Sequence, residues 1–299
     1  METVSPKLPV LEAWRNWSRR FQKPLLALAL TLFVAGSIWS IRSLQLPLQQ
    51  LNGTALAMLL GLSPLTMVYS GVGLQLMARA AGTRIAMVPS ITTSALANLA
   101  EALPLPGGAI VRTGALMKAG AGLGEGAGLV LLTAVLWIML GALGAGLAIL
   151  GTAQTAGWVL VALGLIGTLV STGWLWRQAG ALLTLLILLH RLSGIALIAL
   201  RLYLAFLVLG LTVPFMQSLP LVLALIAGSA AAIAPAGLGI SEALAALAAT
   251  AVAVPPAAAF LAVGLDRVMN MLASGAVALV PLMQLRRAPL ATDQGSDDV

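Results

Sequence analysis

Residues 127–150 read AGLVLLTAVLWIMLGALGAGLAIL, a run with no ionisable side chain and no proline. An α-helix rises about 1.5 Å per residue and the hydrocarbon core of a bilayer is about 30 Å thick, so about 20 apolar residues suffice to cross it. This run is long enough. It is also not alone, because comparable runs fill most of the chain. Hydrophobic residues make up 60% of the sequence and charged residues 8%, against about 25% charged in an ordinary soluble domain. Mean hydropathy is +1.04. Such a chain has too few charges to cover a surface facing water and enough apolar residues to cover one facing lipid.

Working outward, the sequence predicts roughly six spans, at about 24–41, 52–78, 127–150, 157–176, 194–213 and 257–283. Residues 1–23 place Leu11, Trp14, Trp17 and Phe21 at helical spacing, with Glu12, Arg15 and Arg19 on other faces, which predicts an interfacial helix with aromatic anchors. The apolar run after Lys23 reads as the first span and not as a cleaved signal. Residues 24–287 form a single transmembrane domain, and the polar residues 288–299 are expected to be a disordered tail. The segment between Arg177 and Arg191 is too short to cross and is expected to lie flat in the interface or against the bundle. The formal charge of +7 marks topology and not nucleic acid, because the basic residues collect at the ends of apolar runs. There is no cysteine, which removes disulfides, thiolate metal sites and thiol nucleophiles.

Arg and Lys cluster before the first span and near 79–84, 112–118, 177–191 and 286–287, whereas the connections near 151–156, 214–219 and 253–257 carry no charge. The positive-inside rule then puts both termini in the cytoplasm, in a cytoplasmic (inner) cell membrane. That orientation closes only if residues 85–118 return to the inner side and residues 219–254 to the outer side. Both segments contain a Pro/Gly break: Gly107 and Gly108 follow Pro104 and Pro106, and Pro235 precedes Gly237 and Gly239. Two re-entrant broken-helix hairpins entering from opposite faces are the mark of an inverted repeat whose breaks meet at a midplane site. An offset of 130 residues carries Gly107 to Gly237, Ile110 to Ile240 and Arg112 to Glu242. The plainer reading makes both breaks ordinary loops.

Arg112, Glu242 and Arg267 lie at these breaks or within an apolar run, where an ionisable group costs at least about 2.5 kcal/mol. Guanidinium groups and helix N-termini suit a phosphate group, and Glu242 could pair with an arginine or carry a proton. A static Glu–Arg tie between helices is the structural alternative. Asp266 and Arg267 are neighbours in sequence, so each requires a partner elsewhere. Arg201 reads as a side chain that snorkels from a span end. His190, the only histidine, reads as interfacial, and Trp137, Trp158, Trp174 and Trp176 as interface anchors. The glycines at 120, 122, 124, 126 and 128 lack the features of a nucleotide loop and read as close helix packing. No metal or cofactor site is expected.

The segment from Leu103 to Arg112, and the segment Pro235-Ala-Gly-Leu-Gly-Ile-Ser-Glu-Ala243 with Leu265-Asp-Arg267, resemble the lysylphosphatidylglycerol synthase transmembrane-region family, the YbhN/AglD-like membrane proteins. The likeness runs from about the first span to Arg287. It departs at Ala109, where the family pattern carries an acidic or other polar residue. Arg112, Glu242 and Arg267 match the family's charged positions. The resemblance implies a lipid flippase or transporter and not an enzyme, since no soluble synthase domain follows Arg287. Its expected partner is an anionic phospholipid, a polyprenyl-phosphate or a hopanoid-type lipid. A secondary transporter of a small soluble anion and a non-transporting scaffold for lipid or envelope enzymes are the rival readings.

Overall fold

A computed structural model describes residues 9–45, 51–101, 106–230 and 238–287; they are helical throughout their length apart from short connections, with no strand among them. Among the described residues nine α-helices follow in order: α1 Pro9–Leu44, α2 Gly53–Ala80, α3 Met87–Ala100, α4 Gly107–Lys118, α5 Leu123–Ile149, α6 Gln154–Val208, α7 Phe215–Ala230, α8 Ile240–Ala249 and α9 Pro256–Arg287. Five of them (α1, α2, α5, α6 and α9) are long and apolar enough to cross a membrane. The expected tail 288–299 and the breaks at Pro235 and Gly237 lie outside the described residues.

The expected boundary between an interfacial helix and a first span is absent from the backbone. α1 runs continuously through Pro24. The 178–190 segment is likewise not a separate interfacial element, because it is part of α6. That helix has 55 residues, but Gly180 adopts φ 81° and ψ 169°, a conformation open almost only to glycine. It divides α6 into two arms, and the arms pack on different partners. Gly157 and Gly164 of the first arm lie against Gly146 and Leu143 of α5, and Gly194 of the second lies against Tyr69 of α2.

Small residues set these contacts. A Cβ on Gly164 would stand 2.5 Å from the backbone nitrogen of Leu143, and one on Gly146 would stand 2.7 Å from that of Val161. Within lipid there is no hydrophobic drive between apolar helices, so close backbone approach and dispersion hold them together. The alternating glycines at 120–128 play no such part. Gly122, Gly124 and Gly128 have open space around the missing Cβ, Gly126 makes ordinary contact with Leu116, and Gly120 ends α4 with φ 106°. The outer face of α6 carries Leu169, Val170 and Leu182 in exposed positions, a surface suited to lipid and not to water.

α3 and α4 pack together as a pair, as do α7 and α8. With 14, 12, 16 and 10 residues, each is shorter than the length needed to cross about 30 Å of hydrocarbon. Each pair closes on a glycine. A Cβ on Gly107 would collide with the carbonyl oxygen of Ala100, and one on Gly228 with Ser241. The two pairs are not in the register of the 130-residue offset: Ile240 opens α8, whereas Ile110 is the fourth residue of α4.

Candidate functional site

Among the described residues, three ion pairs connect elements of the bundle. Arg112 on α4 lies 3.2 Å from Oε1 of Glu101, at the end of α3, and donates to Oδ1 of Asn98 at 3.0 Å. This pair spans the first hairpin and is half-buried. Arg201 on the second arm of α6 donates from Nε to Oδ1 of Asp266 on α9 at 2.7 Å, and to the Asp266 carbonyl at 3.0 Å. Arg267 places Nε 3.3 Å from Oε1 of Glu242 on α8. All four residues of the last two pairs are buried, Glu242 completely. Adjacent residues on α9 thus reach different partners on different helices.

Arg201 is therefore not a snorkelling residue. It is 3% exposed and tied at both edges of its guanidinium, with its third nitrogen donating to Oδ1 of Asn270 at 3.2 Å. The same oxygen accepts from Thr66 of α2 at 2.8 Å. Thr66, Arg201, Asp266 and Asn270 thus satisfy one another across α2, α6 and α9, as burial at this depth demands.

Glu242 has a local task as well. At the third position of α8 its Oε2 accepts from the backbone N–H of Gly239 at 2.8 Å. That residue has φ 79°, a glycine conformation, and caps the helix. Glu242 thus takes up one of the N–H groups at this helix N-terminus. The N-terminus of α4 is different, because Pro106, Gly108 and Ala109 line an internal cavity of about 340 Å³.

That cavity lies between α2, α3, α4, α5, the second arm of α6, α7 and α9. Its charged walls are Arg112, Glu101, Arg191, Arg201 and Asp266. Of the expected site residues, Gly108 and Arg112 stand on the wall and Gly107 is buried beside it. Glu242, Arg267 and Gly239 do not line the cavity, so Arg112 and Arg267 do not converge on one space. Asp266, the sequence neighbour of Arg267, does line it.

A second set of wall residues was not expected there. Tyr69 stacks on His190 with ring centroids 4.0 Å apart and an interplanar angle of 14°. The Arg191 guanidinium lies over Trp137, 5.2 Å from the ring centroid. His190, Arg191 and Trp137 thus face the cavity, whereas Trp158, Trp174 and Trp176 are exposed. Glycines make the room: a Cβ on Gly73 would stand 2.7 Å from Nε2 of His190, and one on Gly194 would overlap the Tyr69 hydroxyl. A spacing signal was present in the sequence. Residues 190, 191, 194, 198 and 201 recur at helical intervals and fall on one face of α6.

Among the described residues, no group of three His, Asp or Glu side chains is placed to hold a metal. The chain matches no family model and no curated protein.

Proposed function

We propose that this protein is a membrane transporter that moves an anionic or phosphate-bearing lipid between the leaflets of the cytoplasmic membrane. One observation carries the reading: a cavity of about 340 Å³, lined by Arg112, Arg191 and Arg201, lies among helices apolar enough to cross a bilayer. Charge inside such a bundle is costly unless it serves a pathway or a partner. The wall also reaches the outer surface. Leu131, which lines the cavity, is 62% exposed, giving acyl chains a lateral way out while a headgroup is held inside.

In this reading the two arms of α6 are separate spans, giving six spans in all, with both termini in the cytoplasm. The pairs α3/α4 and α7/α8 are re-entrant hairpins from opposite faces, related as an inverted repeat. Arg112 meets the headgroup. Glu242 and Arg267, buried at the joint of the second hairpin with α9, form the tie that changes as access alternates. The resemblance to the lysylphosphatidylglycerol synthase transmembrane region points the same way.

Fluorescent-lipid translocation in proteoliposomes tests this directly. Purified protein is expected to move a phosphate-bearing lipid faster than empty vesicles do, and Glu242→Gln to stop it. No translocation above empty vesicles with any phosphate lipid removes the proposal. Uptake of a soluble anion in its place moves the assignment to a solute transporter.

A further inference from the structure

The charges around the cavity do not balance. Arg112 is matched by Glu101 and Arg201 by Asp266, but no carboxylate among the described residues lies within 4 Å of Arg191. Three guanidinium groups against two carboxylates leave the wall one positive charge in excess. The excess sits at Arg191, near the middle of the second arm of α6, where an uncompensated charge is least tolerated.

The hydrogen-bond inventory points to the same place. Nε of Arg191, Nε1 of Trp137 and Nε2 of His190 are buried without a hydrogen-bond partner, and the buried Tyr69 hydroxyl lies beside the Arg191 guanidinium without a hydrogen bond of good geometry. All four residues line the one cavity. An arginine Nε and an indole nitrogen can only donate, and a phenol donates readily. Buried polar atoms in native proteins are rarely left unmet, and this set from α2, α5 and α6 around one space calls for a ligand rich in acceptors.

We infer that this cavity is the seat of a singly charged phosphodiester headgroup, held by Arg191 with Tyr69, Trp137 and His190 around it. This rests on the lipid-transport reading and names the headgroup chemistry that reading requires. A phosphodiester supplies the one negative charge that the wall lacks, and its tetrahedral oxygens reach donors arriving from three helices. A phosphomonoester carries up to two charges and would overcompensate. A neutral lipid would leave Arg191 unmatched. The volume, at the lower end of ligand pockets, admits a headgroup while the chains leave past Leu131.

Binding to the purified protein in neutral detergent, followed by native mass spectrometry, tests the site separately from transport. The probes are dihexanoyl phosphatidylglycerol, dihexanoyl phosphatidic acid, dihexanoylglycerol, hexanoate and the water-soluble glycerophosphoglycerol. The diester lipid is expected to bind best, and Arg191→Gln to weaken it roughly 10- to 100-fold, the value of a charge-assisted hydrogen bond. Arg191→Lys should retain much of the affinity. Tyr69→Phe combined with Trp137→Phe should weaken binding several-fold at an unchanged melting temperature, and this pair decides the matter if Arg191→Gln does not fold. Equal binding by wild type and these variants overturns the site, as does preference for the monoester, the fatty acid or the neutral lipid. Equal affinity for glycerophosphoglycerol keeps the phosphodiester site and removes the lipid as its source. Diester binding without translocation keeps the site and removes the flippase.

Discussion

Arg201 and Asp266 meet across the bundle with Nε 2.7 Å from Oδ1, and Arg201 reaches on to the Asp266 carbonyl and to Asn270, so α6 and α9 are joined through all three nitrogens of one guanidinium. Both side chains are buried. A buried pair of this kind gains little over a well-packed apolar pair, yet losing one partner strands the other charge. Arg201→Met or Asp266→Leu alone is expected to destabilise the fold by about 3–5 kcal/mol. The double variant should recover most of that loss. Thermal unfolding in one detergent checks it as a double-mutant cycle; additive losses would mean that the two residues do not act as a pair.

Arg112 offers the contrasting case. Its pair with Glu101 is about one-quarter to one-third exposed, so screening leaves it worth only about 0–1 kcal/mol. Arg112→Ala should therefore barely move the melting temperature while lowering lipid translocation strongly, because the residue lines the cavity. A proportionate fall in both stability and transport would assign it a structural role.

Glycine substitutions separate contact from composition. Gly164→Ala puts a Cβ 2.5 Å from the Leu143 backbone, where nothing flexible can yield, and is expected to cost about 1–3 kcal/mol by overpacking. Gly128→Ala enters open space on α5 and should be neutral or stabilising by up to about 1 kcal/mol through helix propensity. Melting temperatures of the two variants in the same detergent make the comparison.

How far the sequence reached depended on which physics ruled each residue. The long apolar helices were legible because lipid imposes one requirement, length without charge, that 127–150 meets by itself. Arg112, Glu242 and Arg267 stood out because charge within apolar sequence is costly, and the need of Asp266 and Arg267 for separate partners followed from their adjacency. The partners themselves were not legible. Arg201, Arg191 and His190 lie near segment ends in the sequence, where a long or amphipathic side chain can reach the headgroup region and needs no partner inside the bundle. Only the continuation of α6 past Gly180 carries them into the interior. Glu101 lay at the end of an apolar run, and nothing local tied it to Arg112. Close helix packing was expected at the most conspicuous glycine pattern, 120–128, but is found at Gly146, Gly157 and Gly164, because a packing glycine is identified by its neighbour on the other helix.

That same break at Gly180 decides the path of the chain. A straight helix of 55 residues would reach about 80 Å, far beyond about 30 Å of hydrocarbon, so the two arms are expected to cross separately and return to the face they left. The lack of native cysteine allows single introduced thiols to report this without further engineering. Thr155 precedes the first arm's crossing, and Ala181 begins the second; both are exposed. A membrane-impermeant maleimide added to intact cells should label Thr155→Cys, while Ala181→Cys should react only after the membrane is opened. The positive-inside rule gives this polarity, since Arg177 stands beside the break and the 151–156 connection is uncharged. Labelling of both sites from outside would make α6 something other than two spans. Reversed labelling would invert the whole bundle and place the Arg112 hairpin on the outer face.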